Sequence, residues 1–79
     1  GQEHSIELTR LEFKIFLLLS QKLGETVARE EILDRVWGTG FQIYTRSVDT
    51  HVSNLRRKLP KESFKIESSP GHGYKMVLL

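Results

Sequence analysis

The run Arg46-Ser47-Val48-Asp49-Thr50-His51-Val52-Ser53-Asn54-Leu55-Arg56-Arg57-Lys58-Leu59 decides how this chain folds. At helical periodicity Val48, Val52, Leu55 and Leu59 fall on one narrow apolar stripe. The opposite face carries Thr50, Ser53, Asn54 and Arg57, flanked by Asp49, Arg56 and Lys58. Short hydrogen-bonding side chains with positive charge beside them suit the base edges of a DNA major groove, which is wide enough to admit a helix. An ordinary solvated helix would sooner mix Glu with Lys at four-residue spacing. Here a single acid, Asp49, stands in the first turn and none follows. The spacing predicts a recognition helix over 48–59, capped by Ser47 and stopped by Pro60, which cannot continue a helix.

Upstream of this helix, residues 38–46 form a glycine-containing loop, and a second helix is expected over 29–37 with Ile32, Leu33, Val36 and Trp37 inward. Glu30 and Glu31 sit in its first turn, where the helix dipole favours acids. Ala28 stands where a capping hydroxyl is expected and forgoes about 1 kcal/mol. Further upstream, Thr9 and Glu12 have the spacing of a capping box, and Leu8 and Phe13 that of a hydrophobic staple. Phe13, Phe16, Leu17 and Leu23 follow at helical spacing, with Leu11, Ile15, Leu18 and Leu19 widening the apolar surface and Gly24 as the stop. Residues 5–8 alternate as a short strand would. Downstream, Phe64 and Ile66 alternate with Lys65 and Glu67, and Tyr74, Met76 and Leu78 with Lys75 and Val77. Ser69-Pro70-Gly71-His72 between them places Pro and Gly at the centre of a type II turn. The expected fold class is α+β: a winged helix-turn-helix of three helices and a hairpin wing over 64–78.

Composition narrows the function. Seventy-nine residues suit one small domain, 1–79. The chain has no cysteine, which leaves neither a disulfide framework nor a thiolate metal site. The longest apolar run, Ile15 to Leu19, is too short to span a bilayer, and a cytoplasmic protein without membrane contact is expected. Residues 1–34 carry a net charge of −3 and residues 35–79 one of +5. A basic second half with a polar helix face favours a polyanionic partner. His4, His51 and His72 are too widely spaced for a metal or nucleophilic site, so no enzyme, metal or cofactor is expected.

The chain resembles the C-terminal effector domain of OmpR/PhoB-type response regulators, the output half of bacterial two-component systems. Leu8-Thr9 with Glu12-Phe13, Arg29-Glu30 with Ile32-Leu33, and Val36-Trp37-Gly38 match in order and spacing. So do Arg46 to Val52, Leu55 to Leu59, and Gly71-His72-Gly73-Tyr74-Lys75. The resemblance implies double-stranded DNA as partner, with the third helix in the major groove and the wing near a minor groove. It implies head-to-tail homodimers on direct repeats in the full-length protein, and control by a receiver domain absent from these residues. It also implies an RNA polymerase contact from the loop bearing Phe41, Gln42, Ile43 and Tyr44. The family usually begins with a four-stranded sheet, of which this chain keeps at most the last strand, so it is expected to be a fragment of a longer regulator. Where the family wing carries an arginine, this chain has Pro70, which excludes that minor-groove contact at this position.

Carried over by position, Thr50, Ser53, Asn54 and Arg57 face base edges. Asp49 either accepts from a cytosine amino group or serves the helix start. Trp37, Arg46, His51, Arg56, Lys58, His72 and Lys75 are the expected contacts to the DNA backbone, with a half-buried structural role the competitor for His51. Trp37 can pack its ring while the indole N–H reaches a phosphate. Tyr74 is expected to pack. Two other functions remain open: a winged-helix module that binds proteins, and a non-specific nucleic-acid binder. Against the first, the polar face of 48–59 lacks the aromatic anchors that protein interfaces favour.

Overall fold

Thr9 opens helix α1 (Arg10–Gln21) in a computed structural model of the chain, which describes residues 7–38 and 46–79. The capping box forms as its spacing predicts. The Glu12 amide donates to Thr9 Oγ1 at 3.2 Å, and the Thr9 amide donates to Glu12 Oε1 at 2.9 Å. Each bond satisfies an amide that a helix start leaves without an internal partner. Glu12 is only 2% exposed and takes a further donor from far along the chain, Lys58 Nζ at 2.7 Å. Burial pushes its carboxyl pKa up, but Lys58 and the Thr9 amide outweigh burial and hold it below the ordinary 4.5.

Helix α1 carries two apolar stripes, and its tertiary partners decide between them. Ile15, Leu18 and Leu19 enter the core, whereas Phe13, Leu17 and Leu23 are exposed. Phe16 is half-buried, edge-on to Phe64 with ring centroids 5.6 Å apart. Phe13, Phe16 and Leu17 are therefore the outer stripe, and Leu23 lies beyond the helix, whose C-cap is Lys22.

Strand β1 (Val27–Ala28) has no counterpart among the expected elements. It leads directly into α2 (Arg29–Val36), which starts at Ala28 without a side-chain cap and ends one residue earlier than expected, with Trp37 as its C-cap. Helix α3 (Arg46–Lys58) begins before Ser47, so that residue lies inside the first turn and is not the cap. The stop before Pro60 is as expected. Val48, Val52 and Leu55 are fully buried and Leu59 nearly so, making the apolar stripe of this helix the middle of the core. Of the strand expected over 5–8, residues 5 and 6 lie outside the described residues, and Glu7 and Leu8 are not in a strand.

The hairpin pairs β2 (Phe64–Ser69) with β3 (Gly73–Leu78), and β1 adds on the other side of β3, so the sheet order is β1-β3-β2. In the turn the His72 amide donates to the Ser69 carbonyl at 2.8 Å, and Gly71 has φ +79°, as a type II turn requires. Gly73 answers to a different constraint. It pairs with Ala28 across β1 and β3, and a Cβ on it would lie 1.9 Å from the Val27 carbonyl oxygen. The close approach of two backbones, together with φ +153°, admits only glycine there.

Two predictions follow from these contacts. Gly73→Ala should cost about 3 kcal/mol, from overpacking added to backbone strain, whereas Gly71→Ala, with open space around it, should cost about 1 kcal/mol. Urea midpoints compare the two, and equal losses would contradict the close approach. The second concerns acid. Because the folded pKa of Glu12 is lowered, its stabilisation is complete above about 4.5 and disappears as pH falls through the folded value. Glu12→Gln should flatten the acid limb of a plot of Tm against pH; an unchanged limb would mean that the Lys58 pair contributes nothing.

Candidate nucleic-acid interface

Helix α3 presents three parallel stripes. Besides the buried one, Asp49 and Arg56 are seven residues apart and so lie within about 20° of each other on the helix surface. Thr50, Ser53, Asn54 and Arg57 follow the i, i+3, i+4, i+7 spacing of a third stripe, turned by about 100°.

The Asp49/Arg56 stripe faces the wing. Asp49 accepts from Arg29 Nε on Oδ1 at 3.1 Å and from Arg29 Nη2 on Oδ2 at 2.5 Å. The Tyr74 hydroxyl donates to the same Oδ1 at 2.6 Å. Burial, and then the hydrogen bond to Asp49, push the Tyr74 hydroxyl up to about 12, so it is a donor at neutral pH. Arg56 donates from Nε and Nη2 to the Ile66 carbonyl in β2, at 3.0 and 2.6 Å. Asp49, equally a base reader or a helix-start acid by sequence, thus has both oxygens occupied within the fold. Arg56 and Lys58 likewise direct donors inward, to Ile66 and Glu12. Arg29, which sequence gives no role at the site, is the missing partner. The one signal for it is that Asp49 is the sole acid on an otherwise acid-free helix.

The outward stripe remains open. Thr50, Ser53 and Arg57 are exposed and Asn54 is half-buried. The Thr50 hydroxyl donates back to the Arg46 carbonyl at 3.3 Å, which leaves its oxygen free to accept. Arg57 Nη2 donates to Asn54 Oδ1, pairing the two longest side chains of the stripe. Such a pair on an open face contributes little and parts readily for a better partner. Arg46 is exposed at the start of the helix.

His51 lies between the stripe and the core, half-buried, with Nδ1 2.8 Å from the Ser47 carbonyl oxygen. A carbonyl only accepts, so Nδ1 carries the proton and Nε2 is directed elsewhere. Its ring stands edge-on to Trp37, with centroids 5.1 Å apart. At the wing, His72 is exposed in the turn, and Lys75 Nζ lies 3.6 Å from Glu67 Oε1 across the hairpin. Pro70 occupies the turn without a donor. Phe41, Gln42, Ile43 and Tyr44 lie outside the described residues. Among the described residues no group of three or more His, Cys, Asp or Glu could hold a metal ion, and no helix is long and apolar enough to cross a membrane.

Known proteins share both the sequence and this geometry. Residues 1–76 match the family described as "Transcriptional regulatory protein, C terminal". The chain is 51% identical over 72 residues to the transcriptional regulatory protein VxrB of Vibrio cholerae, covering 91% of this chain and 29% of that protein. The DNA-binding domain of Bacillus subtilis CssR superposes with a TM-score of 0.83 at 42% identity, over 90% of this chain and 78% of that one. The Klebsiella pneumoniae RstA DNA-binding domain, solved in complex with the RstA box, superposes at 0.78 with 25% identity, over 91% and 74% of the two chains. The chain spans about a third of the length of the curated relatives it matches. With the family matched over nearly the whole chain and the winged helix formed by the same segments, this chain belongs to the C-terminal domains of transcriptional regulatory proteins, the effector domains of OmpR/PhoB type.

Proposed function

We propose that the chain binds double-stranded DNA sequence-specifically, as the output domain of a bacterial transcriptional regulator, with α3 in the major groove and the hairpin turn near an adjacent minor groove. The observation that carries this is the outward face of α3. Thr50, Ser53, Asn54 and Arg57 line it, and the only acid on the helix, Asp49, is held by Arg29 and Tyr74. Asp49 lies about 100° round the helix from that stripe, with both carboxylate oxygens bonded within the fold although the side chain is 38% exposed, so the stripe itself carries no acid and suits base edges. Arg57 matches the two guanine acceptors, and Asn54, once it parts from Arg57, matches the two adenine edge groups. A base contact is assigned to these four residues and not to Asp49.

Backbone anchoring falls to Arg46, to the Trp37 indole N–H, to His72 with Lys75 on the wing, and to His51 in its doubly protonated form, the only one in which Nε2 has a proton to donate while Nδ1 donates to the Ser47 carbonyl. Such contacts set the register of the helix without reading sequence. Arg56 and Lys58 act chiefly as struts and add diffuse positive charge. In the full-length regulator, homodimers on direct repeats, an RNA polymerase contact through Phe41, Gln42, Ile43 and Tyr44, and a cytoplasmic setting complete the proposal. No catalytic step has a place in it.

On a duplex selected for tight binding, Asn54→Ala and Arg57→Ala should each lose about 1–3 kcal/mol of discrimination against a scrambled duplex. Arg46→Ala should weaken both duplexes alike and lower the salt slope by about one unit. Arg56→Ala should lower Tm while leaving discrimination in place. Fluorescence anisotropy across a salt series measures binding for all four, and a thermal melt followed by circular dichroism measures the Tm of Arg56→Ala; equal losses on both duplexes for Asn54 and Arg57 would refute the division of roles.

A further inference from the structure

Asp49 joins three elements at one carboxylate: Arg29 opens α2, Asp49 lies in the first turn of α3, and Tyr74 is the second residue of β3. A second strut, from Arg56 to the Ile66 carbonyl, starts two helical turns along the same stripe of α3. Tyr74 pairs with Ser68 and Ile66 with Met76, so the two struts grip the hairpin one side-chain repeat apart, and the turn at 70–72 projects beyond the outer one. The outer strut is the one nearer the turn, where a small change of angle moves the wing tip furthest.

Apolar packing beneath the hairpin is non-directional and resists sliding only weakly. Hydrogen bonds have preferred distances and angles, and charge-assisted ones are stronger than neutral ones. Asp49 receives three, two from a guanidinium in the fork geometry that fixes orientation as well as distance. The same carboxylate that would oppose DNA on an open helix face is thereby committed to locating the wing relative to the reading stripe.

We infer that Arg29, Asp49 and Tyr74 are positioning residues that lock the wing to the recognition helix, so that turn and helix meet DNA at one set separation. The inference rests on the DNA-binding function proposed above. It assigns these residues no contact with a base: they act through the placement of His72 and its neighbours in the turn.

The test uses Tyr74→Phe, which removes one hydroxyl and keeps the ring in its packing. The chain has no cysteine, so spin labels on Lys14→Cys and His72→Cys report one distance between the helical body and the wing tip. In DNA-free protein Tyr74→Phe should broaden that distance distribution while circular dichroism stays unchanged. Asp49→Asn, which retains an acceptor for the phenol but weakens the Arg29 pair, is the second variant and should broaden it less. An unchanged distribution in both variants would overturn the inference. A double-mutant cycle on the selected duplex then links position to binding: the affinity lost through His72→Ala should shrink at least about threefold in the Tyr74→Phe background. Effects that simply multiply, as a merely structural role would give, would also overturn it. A broadened distribution in a protein whose unmutated form binds no duplex would refute the DNA-binding function and leave the wing lock standing.

Discussion

One carboxylate organises the functional side of this domain. Asp49 sits at the end of α3 where a negative charge is favourable to the helix and unfavourable to a polyanion. Two donors from Arg29 and one from Tyr74 ease that conflict by pairing the charge, on a side chain that stays 38% exposed. The same bonds tie the start of α2, the recognition helix and the base of the wing to one point. Without them, α3 would carry an unpaired acid beside its outward stripe, and the hairpin would lose the hydrogen bond from Tyr74 to that helix.

Helix α3 therefore serves three purposes on three stripes. Val48, Val52 and Leu55 are fully buried and make it a core element. Asp49 and Arg56 attach it to the hairpin, and Thr50, Ser53, Asn54 and Arg57 remain outward. Residues on the outward stripe make few bonds within the fold, so changing them should have small effect on folding, since surface changes away from such features usually stay within about 0.5 kcal/mol. Changes on the other two stripes alter the platform itself.

What was legible in the sequence was local. The Thr9/Glu12 capping box, the stripe of α3, the Pro60 stop and the Pro70-Gly71 turn depend on residues a few positions apart, and each forms as expected. Long-range partners were not legible. Two apolar stripes on α1 have the same period, and only the packing of α2, α3 and β3 selects Ile15, Leu18 and Leu19 over Phe13 and Leu17. Strand β1 is two residues long and has no pattern of its own; it exists because Gly73 and Tyr74 lie beside it. The inward roles of Asp49, Arg56 and Lys58 require partners 20, 10 and 46 residues away, and a charged residue beside a reading face looks the same in sequence whether it points to DNA or to the fold.

Selection from a randomised duplex library at near-physiological salt tests the central claim, that the outward stripe of α3 reads bases, most directly. The account predicts enrichment of a defined half-site, with paired half-sites in direct repeat about one helical turn apart wherever two copies bind together. Salt-sensitive binding that enriches no sequence would contradict it, because a positively charged helix that merely tracks phosphates binds every duplex alike.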